Sequence, residues 1–548
     1  MNDFSKEIRA YALKNAIEFR RAEPKSILSK LFQFGLQKDD IKEVMSIVEK
    51  NVDQINSMPN DEKEKEFQSL KHLIKEHVEK EKKLPELKNV SGEVVTRFPP
   101  EPSKYLHFGH ALACLINYTY AKKYNGKFVV RFEDCNPEKC SQEYADVILR
   151  DLKDYLEVKI DSIRYISDDM HLFYDYAEKL IEKGKAFMCF CDRDTMQNLR
   201  HEGKGCNCRS SSVQDNKKNW KKFLEGFYAP GTATLRYTGD MSANNQVLRD
   251  PVLFRSMDAE HYRQGTKYKV WPMYDFYNPI EDSLMGVTHI LRSNEFDVRV
   301  ELHDQLRNLF GLNNQETVQF GRFNVIGAEM SGRDIREKVK SGEYLGWDDP
   351  RLGTLPALER RGIDKDVLIE LINHIGLSKK QIQIDFAMIA SISRKLLDKK
   401  VNRYFFVADP VELQVQKMPD IKEVDAKLHP DKPFVRKLRV GKSIFISKED
   451  FEELKGKEIR LMNLFNIKLG DKPVFTGEEN NPKLQKIHWV STSLPARILM
   501  DNATWVEGLA EQEIANIKIG EVVQFERFGF CRLDAVKNGM YEFWFSHK

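Results

Sequence analysis

A strand, a proline-rich loop and a helix start follow one another early in the chain. Residues 93–96 are strand-like, and residues 97–110 form the loop RFPPEPSKYLHFGH, which leads into an apolar, helix-like run. Free backbone N–H groups and the helix dipole make such a helix start a good place for phosphate. His107 and His110 can each donate a hydrogen bond to a phosphate oxygen, and Gly109 between them leaves room for a nucleotide base. The segment therefore predicts a phosphate-binding strand–loop–helix unit, although a single histidine at a helix start is more often a cap or a packed ring.

The size and charge of the chain limit what it can be. Its 548 residues predict about three or four domains. The formal net charge of +3 neither predicts nor excludes nucleic acid, because a large protein can concentrate positive charge on one face. No segment has the ~20 uninterrupted apolar residues of a membrane helix, and the first residues lack a signal-peptide core. We expect a cytoplasmic protein that does not bind membranes.

The eight cysteines divide into two groups. Four are scattered, and a reducing compartment would keep them as thiols. The others form two Cys-x-Cys pairs separated by fourteen residues, Cys189 with Cys191 and Cys206 with Cys208. Two such pairs can supply four tetrahedral ligands for one structural zinc ion. Because Cys-x-Cys is less typical of zinc sites than Cys-x-x-Cys, strand-borne cysteines without a metal remain the alternative.

Hydrophobic periodicity divides the chain into parts of different texture. The front is helix-like, with apolar positions at helical spacing, and the next part alternates strands and helices as α/β domains with parallel sheets do. The last part has short strand-like runs separated by Pro and Gly, which is typical of β-barrels. The predicted parts are helical residues 1–88, α/β residues 89–187 and 269–345, an insertion at 188–268, helical residues 346–405, and β-barrels at 406–548.

A second polar block follows a short apolar strand at residues 127–132. It reads Glu133-Asp134-Cys135-Asn136-Pro137. Ligands of α/β sheets bind where the strands end at their carboxyl side. The block is therefore a candidate part of the same binding site.

Five blocks in this order resemble the glutamyl- and glutaminyl-tRNA synthetases of class I, and especially the archaeal type of glutamyl-tRNA synthetase. The loop at 97–110 resembles their HIGH motif, and Cys135 replaces a threonine in the second block. The resembling blocks are residues 97–110, 131–139 (RFEDCNPEK), 271–276 (WPMYDF), 286–292 (GVTHILR) and 346–352 (GWDDPRL). The resemblance implies a Rossmann-like catalytic domain in two pieces with an acceptor-end insertion between them. It also implies a helical connector and anticodon-binding C-terminal β-barrels.

The resemblance also implies a reaction and its cofactors. Glutamate attacks the α-phosphate of ATP, with Mg²⁺ bound to the nucleotide, and the glutamyl group then moves to the terminal ribose of tRNA(Glu). His107, His110 and Arg333 are the expected catalytic residues. The expected ATP-binding residues are Glu101, Pro102, Ser103, His107, Gly109, His110, Arg322, Phe323, Met330 and Ser331.

Charge favours glutamate over glutamine as the amino acid. An unpaired buried side-chain carboxylate would cost ~2–5 kcal/mol, so the site needs a cation. The resemblance makes Arg97 and Arg292 the carboxylate partners, Asp134 the ammonium partner and Tyr274 an orienting hydroxyl. Glutaminyl relatives typically have a small neutral residue at the position of Arg292. The alternative for Arg292 is a surface ion pair with a nearby acidic residue, Glu295 or Asp297.

The chain departs from the family pattern at two places. In the loop that usually reads KMSKS, Met330 and Ser331 fit, but the two lysine positions hold Glu329 and Gly332. We expect Arg333 to supply positive charge on the pyrophosphate side. Lys104 stands where glycine is common and would add a positive charge at the ATP entrance.

Two alternatives to a glutamyl enzyme remain open from the sequence. One is a glutaminyl-tRNA synthetase, and the other is a catalytically impaired tRNA-binding homologue, which the altered loop would suit. The sequence does not decide whether tRNA(Gln) is a second substrate. A monomer is the expected assembly.

Overall fold

The computed structural model describes residues 4–19, 21–36, 40–74, 84–326 and 331–548. It forms two compact units, Met1–Glu81 and Lys82–Lys548. None of the helices in the described residues is long and apolar enough to cross a membrane.

The described part of the first unit is helical, as the apolar periodicity predicted. Ile8, Ala12 and Ala16 are buried at helical spacing on one face of the first helix and contribute to the core of the unit. Its α-helices are α1 (Ser5–Phe19), α2 (Pro24–Leu31), α3 (Ile41–Asn56) and α4 (Asn60–Leu70).

The second unit begins with a parallel three-stranded sheet. The elements are β1 (Val95–Phe98), α5 (Phe108–Lys123), β2 (Lys127–Phe132), α6 (Gln142–Arg150), β3 (Ser162–Tyr165) and α7 (Met170–Glu182). The sheet order is β1-β2-β3, and Arg97 of β1 lies opposite Val129 of β2. Because β2 is buried at every position after Lys127, it reads as a continuous apolar strand, as strands of parallel sheets do.

An antiparallel sheet with two helices follows. Its elements are β4 (Ala186–Cys189), α8 (Arg193–Glu202), α9 (Val213–Leu224), β5 (Thr234–Tyr237), β6 (Val252–Ser256) and β7 (Val270–Pro272). The strands pair in the order β4-β5-β6-β7. This change from parallel to antiparallel pairing corresponds to the break in alternation that the sequence indicated near residue 188.

The α/β pattern then resumes. The elements are α10 (Tyr274–Leu284), β8 (His289–Ser293), α11 (Val300–Phe310), β9 (Glu316–Phe320), β10 (Phe323–Ile326) and α12 (Gly332–Ser341). Strands β8 and β9 pair in parallel. The Thr288 backbone N–H donates to the Val95 carbonyl at 3.0 Å, which brings the start of β8 beside β1. The carboxyl ends of β1, β2 and β8 therefore lie near one another.

The connector predicted to be helical, residues 346–405, also contains a strand, and the first strand of the C-terminal part, Arg403–Tyr404, lies at its end. Its elements are α13 (Leu355–Arg360), α14 (Lys365–Ile375), β11 (Ile382–Asp385) and α15 (Phe386–Leu397). Strand β11 pairs in parallel with β10, far away in sequence. Pairing with a distant strand decides the conformation here, and a local apolar pattern does not carry that information.

The C-terminal part is rich in β-structure, as predicted. Its elements are β12 (Arg403–Tyr404), β13 (Phe406–Ala408), β14 (Pro410–Leu413), β15 (Glu423–Lys427), β16 (Val435–Arg439), β17 (Ile444–Ser447), α16 (Lys448–Leu454), β18 (Glu458–Leu461), β19 (Asn466–Lys468), β20 (Val474–Gly477), β21 (Gln485–Ile487), β22 (Ser493–Leu499), β23 (Trp505–Glu511), β24 (Val522–Phe525), β25 (Gly529–Lys537) and β26 (Met540–His547). A seven-stranded sheet has β12 and β13 at its two edges. Because only Phe405 separates these strands, the sheet curls back on itself as a barrel does.

Candidate active site and cysteine cluster

The two histidines of the proline-rich loop are fixed by backbone hydrogen bonds at the start of α5. The Gly109 N–H donates to His107 Nδ1 at 3.1 Å, and the His107 N–H donates to His110 Nδ1 at 3.2 Å. Because both Nδ1 atoms accept, each neutral ring carries its proton on Nε2. The ring centroids lie 3.7 Å apart. The pair therefore presents two oriented Nε2–H donors.

Both rings are neutral at physiological pH. Burial, reinforced by the nearby cations Lys104 and Arg322, lowers the pKa of His107 to about 3. Burial also holds the pKa of His110 well below its usual value. The histidines can therefore serve phosphate as hydrogen-bond donors rather than as positive charges.

Gly109 is the residue that lets the histidine pair form beside β10. A Cβ added there would lie 3.2 Å from His107 Cε1 and 3.6 Å from the Phe323 carbonyl oxygen. The Phe323 ring is itself buried and stacks on Phe320 with centroids 5.4 Å apart. A side chain at position 109 would crowd the His107 imidazole, so glycine allows the start of α5 to lie close to β10.

A cavity of about 400 Å³, here called the central cavity, is lined by most of the residues predicted to be catalytic or to bind ATP or the amino acid. It lies at the carboxyl ends of β1 and β8 and the start of α5. The predicted residues that line it are Arg97, Glu101, His107, Gly109, His110, Tyr274, Arg292, Arg322 and Phe323. Residues from distant blocks thus meet at the sheet edge where α/β folds bind ligands.

Arg97, which lines the central cavity, is held in place by a buried carboxylate. Arg97 Nε donates to Asp282 at 3.2 Å, and Arg131 Nη1 donates to the same oxygen at 2.6 Å. Burial alone would raise the pKa of Asp282, but the two guanidinium groups prevail and lower it to about 2. Asp282 is therefore ionised and fixes both arginines, a role that the sequence did not indicate.

Arg292 points into the central cavity and is 7% exposed. Its Nη1 donates to the Tyr274 hydroxyl at 3.3 Å, and its guanidinium lies over the Phe296 ring. Within the described residues, its buried Nε has no hydrogen-bond partner and its guanidinium forms no ion pair. The predicted alternative, a surface pair with Glu295 or Asp297, does not occur among the described residues, and Glu295 lies 3.6 Å from Arg322.

Asp134 does not face the central cavity, and the ammonium role predicted for it does not fit this geometry. Its buried carboxylate accepts hydrogen bonds from the Ser167 N–H and hydroxyl, both at 2.8 Å, and from Tyr262 at 3.2 Å. Glu133 lines the cavity instead. Successive side chains of an extended chain point to opposite sides, so only one of these two neighbours can reach the site.

Glu133 is positioned by two partners. Its carboxylate accepts from Arg131 Nη2 at 2.9 Å and from the Tyr277 hydroxyl at 3.2 Å. Burial raises the pKa of Glu133, and Arg131 opposes that rise. The sequence signal that could have found it is spacing: Glu133 lies two residues after Arg131 and thus on the same side of the strand.

The start of α12 borders a second cavity of about 570 Å³, here called the α12 cavity. Ser103 and Arg333 line it with Lys104, Lys139 and Arg336. The Arg333 side chain is 85% exposed and lies 3.4 Å from Glu337. The structure therefore places Arg333 beside a different cavity from the histidine pair.

Two predicted ATP-binding residues, Pro102 and Ser331, line neither cavity. Pro102 is buried, and its carbonyl oxygen accepts a hydrogen bond from the Ser141 N–H at 3.0 Å. Ser331 caps α12, where its hydroxyl accepts from the Asp334 N–H at 3.5 Å. Met330, like Glu329, lies outside the described residues.

The four paired cysteines come together away from both cavities. Their sulfur atoms all lie within 4.8 Å of one another. Cys189 Sγ is 3.8 Å from Cys206 Sγ, and Cys191 Sγ is 4.0 Å from Cys208 Sγ. Tetrahedral zinc with Zn–S bonds of about 2.3 Å requires sulfur separations of about 3.8 Å. The four side chains thus have the geometry of a zinc site.

Arg236 supplies positive charge to this cluster. Its Nη1 lies 3.6 Å from Cys189 Sγ and 3.7 Å from Cys206 Sγ, and the residue is buried. Burial opposes ionisation of Cys189, but hydrogen bonds from the Cys191 backbone and Arg236 prevail and lower its pKa. A guanidinium in this place favours thiolates, which are the form that binds metal.

The fold and the sequence define the protein's class. Residues 93–399 match the model of the catalytic domain of class I tRNA synthetases for Glu and Gln (E and Q). Residues 401–485 and 486–534 match the two anticodon-binding domain models of the same family. The chain belongs to this family of class I aminoacyl-tRNA synthetases.

Its relatives narrow the family further. A glutamate–tRNA ligase of Pyrococcus furiosus is 38% identical over 566 residues, covering 98% of each chain. One of Methanosphaera stadtmanae is 36% identical over 565 residues, covering 100% of each. A solved glutamate–tRNA synthetase of Elizabethkingia anophelis aligns over 56% of this chain and 70% of its own, with 18% identity and a TM-score of 0.39. The full-length similarity to archaeal glutamate–tRNA ligases identifies the branch of the family.

Proposed function

We propose that the chain ligates L-glutamate to the 3′ end of tRNA(Glu) through glutamyl-adenylate. The observation that carries this proposal is Arg292, a buried guanidinium that points into the central cavity without an ion-pair partner among the described residues. A buried cation without a counter-charge is costly, and a bound carboxylate would supply one. The full-length relatives are named glutamate–tRNA ligases, which supports glutamate and tRNA as substrates.

The charge of the cluster matches glutamate. Arg97, Arg131 and Arg292 carry three positive charges, and Asp282 and Glu133 carry two negative charges when ionised. The cluster then has one net positive charge, which a glutamate with its single net negative charge would neutralise. Glutamine has no net charge and would leave Arg292 unpaired.

The proposed contacts follow from this arrangement. Arg292 binds the side-chain carboxylate, Glu133 takes the ammonium group in place of Asp134, and the Tyr274 hydroxyl orients the substrate. Arg97, in the wall of the central cavity, adds positive electrostatic potential at the substrate. The fixed partners of these side chains support the assignment, because they hold the cations and the carboxylate in place before the substrate binds.

In the first step, a glutamate α-carboxylate oxygen bonds to the α-phosphorus of ATP. The bond from that phosphorus to the bridging oxygen breaks, and pyrophosphate takes the electron pair. The Nε2–H groups of His107 and His110 would donate to phosphate oxygens as charge builds there. Glu101, Arg322 and Phe323 complete the nucleotide side, and Mg²⁺ would arrive with ATP.

In the second step, a terminal ribose hydroxyl of tRNA attacks the adenylate carbonyl, and AMP leaves. We assign the insertion at 188–268 to the acceptor end of tRNA. We assign residues 406–548 to the anticodon, which the anticodon-binding models that match residues 401–534 support. Use of tRNA(Gln) is a further proposal that aminoacylation must decide.

One structural zinc ion is proposed for Cys189, Cys191, Cys206 and Cys208, on the sulfur spacing and the adjacent Arg236. Bound zinc would tie the segment between β4 and α9, which contains α8, to the end of β4, away from both cavities. We further propose a monomeric enzyme. We also propose that it is cytoplasmic, because its eight unbridged cysteines fit a reducing compartment.

Aminoacylation tests the whole proposal. Purified tRNA(Glu) and tRNA(Gln) would each be offered with ATP, Mg²⁺ and labelled glutamate or glutamine. We expect glutamate on tRNA(Glu). Attachment of glutamine instead would contradict the role of Arg292, and a folded protein that charges neither tRNA would favour a tRNA-binding homologue.

A further inference from the structure

Lys104 and Gly332 compete for one space between the proline-rich loop and the first turn of α12. A Cβ added to Gly332 would lie 2.8 Å from Lys104 Cδ and 3.3 Å from Lys104 Cβ. Any side chain at 332 must therefore displace the stem of Lys104. Glycine at this position lets the lysine run past the start of α12.

Lys104 borders both cavities. Among the described residues, Glu101 is the only other residue that lines both cavities. Burial lowers the pKa of Lys104, Glu101 raises it and Arg322 lowers it, so these charges lie close to the ammonium group. Its positive charge also reaches the histidine pair, where it lowers the pKa of His107. The lysine thus stands between the proposed nucleotide site and the α12 cavity.

The α12 cavity has the charge of a polyphosphate site. Four cations line it, Lys104, Lys139, Arg333 and Arg336, against the two carboxylates Glu101 and Glu337. Arg336 Nη2 also donates to the Ser103 carbonyl at 2.8 Å, which ties α12 to the loop that carries Lys104. An excess of two positive charges remains for an anionic ligand.

We propose that Lys104 is an ATP-phosphate-binding residue. Its ammonium group lies between the central cavity and the α12 cavity and stabilises the departing pyrophosphate. The proposal rests on the proposed function for its substrate. When the bond from the α-phosphorus to the bridging oxygen breaks, negative charge accumulates on pyrophosphate. A fixed cation at the junction stabilises that charge where it develops.

Lys104→Met is the direct test, because methionine keeps most of the apolar stem and removes the charge. ATP–pyrophosphate exchange would be measured with glutamate and tRNA present. We expect kcat/KM for ATP to fall about 10- to 100-fold, with the KM for glutamate unchanged. Lys159→Ala, an exposed lysine that lines neither cavity, is the matched control. An unchanged ATP dependence, or an equal loss for ATP and glutamate, would overturn the proposal.

An exchange of the two residues tests the shared space. Gly332→Lys alone should lower the exchange rate, since it crowds Lys104 and adds a like charge. The double variant Lys104→Gly/Gly332→Lys moves the ammonium group to the other side of the contact and should recover most of the loss. A double variant no better than Lys104→Gly alone would contradict the shared role.

Direct ATP binding separates this proposal from the proposed function. Equilibrium dialysis with ATP and Mg²⁺, without tRNA or glutamate, would compare wild type with Lys104→Met. Wild type could bind ATP at least about tenfold more tightly than Lys104→Met and yet charge no tRNA. That result would support the role of Lys104 in phosphate binding and contradict the proposed ligase function. If wild type charges tRNA and both proteins bind and use ATP equally, only the assignment of Lys104 fails.

Discussion

The central cavity and the α12 cavity differ in how far their arginine side chains are exposed to solvent. In the central cavity, Arg97 and Arg292 are 1% and 7% exposed, and Asp282 fixes Arg97. In the α12 cavity, Arg333 is 85% exposed and forms a surface pair. Buried charge discriminates strongly because the wrong ligand leaves it unpaired, whereas exposed charge is screened and can adjust. The first arrangement suits the choice of amino acid, and the second suits a phosphate group that must leave.

The largest expected effect is that of Arg292→Gln. Loss of the guanidinium should lower kcat/KM for glutamate roughly 30-fold to several thousand-fold, because the substrate carboxylate would be buried without a partner. The readout is steady-state aminoacylation at varied glutamate, with direct ATP binding as the control. If kcat/KM for glutamate fell by less than about threefold, the buried arginine would not be the main source of amino-acid discrimination.

Asp282→Asn should destabilise the floor of the central cavity. Removing a carboxylate that pairs with two buried guanidinium groups costs about 3–5 kcal/mol. Hydrogen exchange at the amides of β1 and β2 would report the local loss. Glu337→Gln, which breaks an exposed pair on α12, is the matched control and should leave the same amides unchanged.

The same carboxylate makes stability depend on pH. The arginines lower the pKa of Asp282 to about 2 in the folded protein, below its ordinary value. Its contribution is therefore complete above about pH 4 and is lost as the pH falls through about 2. Acid unfolding of wild type and Asp282→Asn should converge at the low end of this range. Parallel curves at all pH values would argue against an ionised Asp282.

The sequence predicted the elements better than it predicted individual roles. β2 spans the predicted residues 127–132, because a buried parallel strand is a continuous apolar run with a clear end. Asp134 and Glu133 are adjacent acids in one block, and only the direction of each side chain separates them. Asp282 lies in the last turn of α10, where no local signal shows that it meets Arg97 from β1.

The cysteine cluster lies outside both cavities, so a variant there tests whether tRNA charging can be lost without loss of ATP binding. Cys191→Ser should remove bound zinc and expose the amides of residues 189–208 to exchange. Because the cluster lies away from the cavities, ATP binding should be unchanged, while charging of tRNA falls about tenfold or more, an effect of the size seen when metal-site partners are lost. Metal analysis that finds no zinc in the wild-type protein would contradict the assignment.

Arg333→Ala should have the smallest effect. Its side chain is exposed and its pair with Glu337 is a surface pair, so the unfolding temperature should not change measurably. ATP–pyrophosphate exchange should fall by several-fold, less than for Lys104→Met, since Lys104 is the more buried cation. An unchanged activation rate would remove Arg333 from the pyrophosphate side.

The most direct test of the charge-matched central cavity is the ratio of kcat/KM for glutamate to that for glutamine, measured with tRNA(Glu) in wild type and Arg292→Gln. The net positive charge of the cluster predicts a ratio of at least about 10³ in wild type and a collapse toward one in the variant. A wild-type ratio near one, or a ratio that survives loss of Arg292, would contradict the account.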